Sequence, residues 1–322
     1  MGSSGQEKQL ILRMQQYLTV VRYFYICIFQ AMKHEVYTFS NDNRLIAEYL
    51  KDLNEEEFQL FCQESIYIGH YVSACHAIVI LTENTTALKN LISQIISQDE
   101  KRKILHAPIM YDQIESSLNT KFFNLLSSFY HFTRYIEASF KKWFGKTSLE
   151  VQFIQTKFSE YFDNYFEYRF FYKLRNYVTH CGLPINILFD CTDEEGYLFT
   201  QTWYFTKDLL NKYDEWGRVK KDLVERETIM IFPSVFAFDK MKTKLWEDIN
   251  NFLLERFSKS AYTLDVLLNG IDILDNNKKL SVLSYECEGS ETISERLGPI
   301  DYKEISLKTY ILKLILKKKK SE

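Results

Sequence analysis

Glycine and proline are scarce in this chain, with only 10 and 4 among 322 residues. β-Sandwiches contain many turns, which are rich in glycine and proline, and α/β proteins with alternating strands and helices need glycine-rich connections. The chain also lacks a GxGxxG fingerprint, a phosphate loop ending in GK and a GxSxG elbow. These absences favour long helices, and they argue against nucleotide hydrolases and serine hydrolases.

The six cysteines are scattered along the chain, and none forms a CxxC pair. A chain of this length does not need disulfide bonds for stability, so we expect a reducing, cytoplasmic compartment. No uninterrupted apolar run approaches the roughly 18 residues of a membrane span, and the beginning lacks the pattern of a signal peptide. The sequence therefore predicts a cytoplasmic protein without membrane contact.

Metal binding has little support in the sequence. His70 and His76, with Cys62 and Cys75, form the only local group of potential ligands. The two histidines fall on opposed helical faces, so we expect these residues to pack in the core and expect no metal or other cofactor. The net charge is only −3, so RNA binding would depend on a local basic surface.

Residues 1–105 are predicted to form a helical region of unassigned function. An amphipathic helix is expected over 7–34, and the acidic run 55–57 is expected to open another helix. The polar segment 97–103 marks the predicted end of this region. Shorter helices are predicted through Ala47, Leu50 and Leu53, over 67–81, and over 88–96 after an interruption at 84–86.

Residues 106–275 are predicted to form a helical bundle. Apolar side chains recur every three or four residues over 118–143, about seven turns, and Gly145 can end that helix in the left-handed conformation. Thr147 and Glu150 form a capping box for a second helix of some thirty residues. That helix is expected to end where glycine and proline follow.

After the second helix, the helical spacing of apolar residues gives way to runs of β-branched and aromatic residues that are typical of strands. We expect a β-hairpin insertion near residues 185–232, then two further helices. Residues 276–322 are predicted to be a mixed tail that ends in a basic run, Lys317 to Lys320. The predicted strands are 185–189, 197–205, 229–232 and 280–285, and the further helices are 236–257 and 261–274.

The strongest signal for chemistry is LRNYVTHCGLP, at the end of the second helix. Asn176 and His180 are four positions apart and share a helix face, while Arg175 can wrap toward that face or reach a neighbouring chain. RNA cleavage without metal needs a proton acceptor, a proton donor and a cation for the phosphate. Histidine titrates near neutrality, and the arginine fork matches phosphate.

An arginine followed by a polar residue, with a histidine four to six positions after the arginine, resembles the signature of the HEPN superfamily. Its members are helical bundles, and many are metal-independent endoribonucleases in antiviral defence, toxin–antitoxin pairs and CRISPR effectors. The resemblance covers residues 116–184 best and implies a mainly α, HEPN-like bundle, to which the residue patterns add an N-terminal helical region and a small β insertion. It also implies that Arg175 and His180 are catalytic and that Asn176 positions one of them.

The resemblance further implies a homodimer in which two motifs face each other across a composite cleft. RNA would be the substrate, and cleavage by 2′-hydroxyl attack would leave 2′,3′-cyclic phosphate and 5′-hydroxyl ends. Such proteins act as toxins or in antiviral defence, so an antitoxin or another regulatory partner fits the same interpretation.

Other interpretations stay open at this point. Arg175 could pair with an acid such as Glu167 or Glu150, and His180 could cap the helix C-terminus. A HEPN fold could also be a catalytically inactive RNA- or protein-binding module, or a sensor or dimerisation protein. A second polar line could border the same cleft or form a solvated face: Ser127, His131 and Arg134.

Overall fold

The computed structural model shows a mainly α-helical protein, which confirms the expected class. Its described residues fall into two compact units, one made of residues up to 69 and from 256 onward, the other of residues 70–255. These limits lie inside two long helices and differ from the boundary expected near residue 105. The structure describes residues 31–40, 47–99, 108–183, 185, 189–192, 198–268, 278–287 and 302–307.

The first unit contains a four-stranded antiparallel sheet. Its spatial order places the second strand of the chain at one edge and the last described strand at the other. Val36 in the first strand is completely buried, and the register shifts after it. In spatial order the strands are β2 (Ala47–Leu53), β1 (Ala31–Ser40), β7 (Lys278–Cys287) and β8 (Tyr302–Leu307).

This sheet overturns two helix predictions and confirms one strand. The helix predicted over 7–34 is wrong at 31–34, which belong to β1, and the helix predicted through Ala47 and Leu53 is strand β2. All ten residues of β1 pair with β7, a strand far along the chain, and such pairing overrides local helical spacing. The strand predicted at 280–285 is confirmed within β7. Residues 1–30 and the basic run Lys317 to Lys320 lie outside the described residues.

Helix α1 (Glu55–Asp99) begins at a reciprocal cap, which confirms the predicted start. The Asn54 side chain accepts a hydrogen bond from the Glu57 N–H, and the Glu57 carboxylate accepts one from the Asn54 N–H, each at 2.9 Å. The interruption predicted at 84–86 is wrong. Thr85 is buried, and its hydroxyl donates to the carbonyl one turn earlier, so the helix absorbs this polar residue.

Helix α1 is also the one described helix that is long and apolar enough to cross a membrane. Its best 18-residue window has a mean hydropathy of 1.4, and 39% of that window is buried. Core helices of soluble proteins meet the same criterion, so the hydropathy of α1 is weak evidence for a membrane span. The expectation of a cytoplasmic protein without membrane contact stays a prediction.

The second unit is built from helices with two short antiparallel strand pairs. The last helix continues into the first unit, and it joins the helices predicted over 236–257 and 261–274 into one. It begins at residue 231, so the strand predicted over 229–232 is shorter. The helices are α2 (Pro108–Phe144), α3 (Leu149–Asn164), α4 (Phe166–His180), α5 (Thr206–Lys212), α6 (Val219–Val224) and α7 (Ile231–Leu267).

The predicted β insertion is present, with different limits. Its first strand begins at Phe189 rather than Ile185, which lies outside any strand. One strand pair follows the motif helix, and the other brackets α5 and α6. The pairs are β3 (Phe189–Thr192) with β4 (Leu198–Gln201), and β5 (Trp203–Phe205) with β6 (Thr228–Met230).

Helix α2 follows the predicted apolar stripe. The stripe is buried along six turns, and Gly145 after the helix has a φ of 90°, which confirms the left-handed stop. Trp143, the last predicted member, is only half-buried. The buried members are Leu118, Phe122, Leu125, Phe129, Phe132, Ile136 and Phe140.

An aromatic cluster fixes α4 between α2 and α7. The Phe129 ring of α2 meets Tyr168 of α4 and Phe238 of α7 edge to face, with both centroid distances 4.9 Å. Phe171 of α4 lies 5.3 Å from Phe122 and 5.1 Å from Phe238. Such ring pairs add stabilisation beyond the burial of area, so this cluster holds the helix that carries the motif.

Replacing Phe129 by alanine should destabilise the protein strongly. The side chain is buried at the centre of this cluster, so Phe129→Ala should lower the free energy of unfolding by about 3–5 kcal/mol. Phe123 lies on the same helix and is 44% exposed, so Phe123→Ala is the matched control. Urea unfolding followed by circular dichroism measures both. Equal losses in the two variants would contradict the packing described here.

Candidate functional site

The helix that carries the motif is shorter than predicted. The predicted helix of some thirty residues breaks at Tyr165, whose φ of −118° and ψ of 117° are extended, so α3 ends before it and α4 begins after it. The predicted capping box is also displaced. Ser148, not Thr147, is the N-cap of α3, and its hydroxyl accepts a hydrogen bond from the Val151 N–H at 3.2 Å.

Arg169 holds α3, α4 and α6 together at this break. Its guanidinium donates to the Phe162 and Asp163 carbonyls at the end of α3, at 3.4 and 3.2 Å. It also forms two bonds with the Asp222 carboxylate of α6, at 2.7 and 2.8 Å. Carbonyls at a helix end lack partners within the helix, and two-pronged arginine–carboxylate pairs are strong. This arginine therefore sets where the motif helix starts.

Arg175 lies against α2. Its guanidinium carbon is 4.5 Å from the centroid of the Tyr130 ring, and its Nη1 donates to the Asn176 side-chain oxygen at 3.3 Å. A guanidinium over an aromatic face is an attractive arrangement. Within the described part of the chain, Arg175 has no carboxylate partner, so pairing with Glu150 or Glu167 is not observed.

Asn176 connects Arg175 to a second tyrosine. Its side chain is half-buried, accepts from Arg175, and hydrogen-bonds with Tyr213. Burial and the nearby Glu215 raise the pKa of Tyr213, whereas the bond to Asn176 lowers it in part. Asn176 therefore contacts both Arg175 and Tyr213, and its role in positioning a catalytic group stays a prediction.

His180 is the last residue of α4 and is exposed. Its imidazole makes no hydrogen bond or ring contact with any residue that the structure describes. The helix is closed by the Cys181 N–H, which donates to the Tyr177 carbonyl at 2.7 Å. Arg175 and His180 are five positions apart, about 140° around a helix, so one chain does not bring the two side chains together.

The segment after the motif is anchored by a residue that sequence reasoning missed. The buried Asn119 of α2 donates its amide N–H to the Ile185 carbonyl and accepts from the Ile185 N–H, both at 2.7 Å. The Asn119 side chain therefore makes the two hydrogen bonds with the Ile185 backbone that a neighbouring strand would otherwise make. A signal was present in the sequence, because Asn119 is a polar residue directly beside the apolar stripe of α2.

A cavity of about 450 Å³ lies where α2, α3 and α4 meet. Among the second polar line, Arg134 lines this cavity, whereas Ser127 does not and His131 is exposed and stacks on Tyr135. No pattern in the sequence predicted this cavity. Its lining is aromatic and charged, and it includes Phe158, Phe162, Tyr168, Tyr172, Glu137 and Arg218.

Tyr172 links this cavity to Arg175. Its ring lies 5.7 Å from the Tyr130 ring, on which the Arg175 guanidinium rests. Burial raises the pKa of Tyr172, and the positive charges of Arg134 and Arg175 lower it in part. Tyr172 therefore connects the lining of the cavity to the Tyr130 ring that Arg175 contacts.

No group of three or more histidine, cysteine, aspartate or glutamate side chains with metal-binding geometry occurs in the described parts of the chain. His70 stacks on Trp143 with a centroid distance of 4.7 Å and is half-buried rather than fully in the core. Burial lowers the pKa of His70, and Lys142 lowers it further. His70 therefore has a packing role.

Comparison of this chain with protein-family models, with curated proteins and with solved structures finds no significant match.

Asp222→Asn should destabilise the protein, because it removes the carboxylate that holds Arg169. Both side chains are mostly buried, so the free energy of unfolding at pH 7 should fall by roughly 2 kcal/mol. Arg169 keeps the pKa of Asp222 below its usual range, so this stabilisation is present above about pH 4 and is lost as the pH falls further. Denaturant unfolding at several pH values measures it.

The exposed pair of Arg218 and Asp163 provides the control for this experiment. Its side chains are 76% and 52% exposed, and exposed ion pairs contribute little, so Asp163→Asn should change stability far less. The difference between wild type and Asp222→Asn should shrink in acid. A difference that is constant from pH 7 to pH 3 would contradict the assigned role of this carboxylate.

Proposed function

We propose that this chain is a metal-independent endoribonuclease of the HEPN type, acting as a toxin or in antiviral defence. One observation carries the proposal. The Arg175 guanidinium is held by Tyr130 and by Asn176, and the same helix ends five residues later in the exposed His180. A fixed cation and an accessible imidazole are the groups that RNA cleavage without metal requires.

The reaction proceeds by attack of the 2′-hydroxyl on the adjacent phosphate. The 2′-oxygen forms a bond to phosphorus while the bond to the 5′-oxygen breaks, so the products are a 2′,3′-cyclic phosphate and a 5′-hydroxyl. A base takes the 2′ proton, and an acid gives a proton to the leaving 5′-oxygen. His180 serves in these proton transfers, and Arg175 stabilises the negative charge that grows on the phosphate oxygens.

A homodimer follows from the same chemistry. The reaction needs one base and one acid, whereas each motif supplies a single imidazole, and Arg175 does not contact His180 within one chain. Two chains that face each other supply two imidazoles and two guanidinium groups to one cleft. A toxin of this kind is held in check by an antitoxin or another regulatory partner.

The second candidate function is an inactive HEPN-fold module that binds RNA or protein, or that senses or dimerises. The observation that favours it is the packing of Arg175, whose guanidinium is already engaged by Tyr130 and Asn176. In that case the arginine stabilises the bundle, and His180 is a solvated helix end. Binding of RNA without cleavage distinguishes this candidate from the nuclease.

Purified protein should cleave single-stranded RNA in the presence of EDTA, and His180→Ala should lower the rate at least about 100-fold, because a positioned acid or base contributes that much. Product ends are identified by mass spectrometry. His131→Ala removes another exposed histidine and is the matched control. Activity that persists in His180→Ala, or that disappears with His131→Ala alone, would overturn the assignment of the site.

A titration tests the composite cleft. When wild-type protein exchanges subunits with an equal amount of His180→Ala, only dimers with two histidines cleave, so activity should be about a quarter, rather than a half, of that of wild type at the same total protein concentration. Native mass spectrometry verifies the exchange. Mixing with His131→Ala should leave activity unchanged. A fall in simple proportion to the wild-type fraction would show that each chain acts alone.

A further inference from the structure

We infer that the cavity between α2, α3 and α4 binds one unstacked nucleobase of a single-stranded RNA, beside the phosphate that Arg175 contacts. The inference rests on the proposed function for the class of substrate, and it adds a base-binding site that the motif itself does not contain. Its evidence comes from the size, the aromatic lining, one unpaired hydroxyl and the charge balance of the cavity.

The size and lining of the cavity suit a planar base. Its volume of about 450 Å³ lies within the range of small-molecule sites in proteins. Phe158, Phe162 and Tyr172 contribute three aromatic rings to the lining. Bases of single-stranded RNA stack on such rings, and each stack is sequence-tolerant because every base has a π face.

Tyr168 supplies a polar group without a partner. The residue lines the cavity, is only 3% exposed, and packs its ring edge to face against Phe129 and Phe162. In the portion of the chain that the structure describes, its hydroxyl forms no hydrogen bond. The hydroxyl is not fully enclosed, so it opens to the cavity, and the edge of a base offers it a donor or an acceptor.

The charges of the cavity favour a neutral base over a phosphate. Arg218 is paired with Asp163 at 2.6 Å, and the Arg134 guanidinium lies 3.8 Å from the Glu137 carboxylate. These positive charges are therefore balanced by carboxylates inside the same lining. Arg175, by contrast, has no carboxylate partner among the described residues and is the cation available to a phosphate.

The position of the cavity matches one nucleotide at the motif. Tyr172 lines the cavity and lies 5.7 Å from Tyr130, and Arg175 rests on the Tyr130 ring at 4.5 Å. A nucleotide with its base in the cavity thus has its backbone on the side of Arg175. The site would require an unpaired base next to the cleaved bond, so it predicts a preference for single-stranded or looped RNA.

The test uses His180→Ala protein, which keeps RNA intact, and fluorescence anisotropy with a short fluorescein-labelled single-stranded RNA. Ser159→Trp fills the cavity without removing a core contact, because Ser159 is an exposed residue of its lining. Binding should weaken about tenfold, the loss expected for one stacked base. Gln152→Trp places the same side chain on an exposed part of α3 outside the cavity and should bind like the parent.

Two further measurements separate base binding from a general effect. Tyr168→Phe keeps the ring packing and removes only the hydroxyl, so it should weaken binding severalfold and leave the circular dichroism spectrum unchanged. In a series of RNAs from which a different single base has been removed, the parent His180→Ala protein should bind one RNA more weakly than the others. Ser159→Trp should be insensitive to the loss of that base.

The failures of the two proposals are distinguishable. Wild-type protein that cleaves RNA, together with Ser159→Trp that binds like the parent, would overturn the base site and leave the nuclease. Cavity-dependent binding by a wild-type protein that never cleaves would overturn the nuclease and leave the base site. No RNA binding by the parent, or no position sensitive to base removal, would overturn the base site.

Discussion

The Arg169 guanidinium is the interaction on which the candidate site depends. It joins the last carbonyls of α3, the start of α4 and the Asp222 carboxylate of α6, and so stabilises the extended residue Tyr165 between two helices. The cavity uses aromatic residues of α3 on one side of that break, and the motif lies on α4 on the other side. Both therefore depend on how one arginine fixes the junction, while the contacts of Phe129 hold α4 in the core.

Local signals in the sequence predicted the elements that depend on local energetics. The apolar stripe predicted α2, the glycine predicted its end, and the acidic run predicted the start of α1. Each of these signals lies within a few residues of the feature that it determines. The same holds for His180 at the end of its helix. Strand β2 and the first four residues of β1 were predicted as helix, because strand pairing outweighs a helical spacing of apolar residues and a single sequence does not display such pairing.

The geometry of the candidate site could not be predicted from the sequence, for a related reason. The break at Tyr165 contains no glycine or proline, so no local residue predicts it. Arg169 stabilises the break through the carboxylate of Asp222, which lies 53 positions after Arg169 in the sequence. The residues of the motif were predicted, but the surroundings of Arg175 were not. Tyr130, on which it rests, belongs to another helix, and the cavity is defined only when three helices meet.

Tyr168 illustrates a compromise between stability and function. A phenylalanine would fill the same space against Phe129, whereas the Tyr168 hydroxyl lies at the cavity and gains no hydrogen bond from any described residue, so the chain forgoes the stabilisation that such a bond would give. Proteins accept such losses where a ligand later recovers them. Occupation of the cavity by RNA would then raise the melting temperature of the protein, and the ligand would become part of what completes the fold.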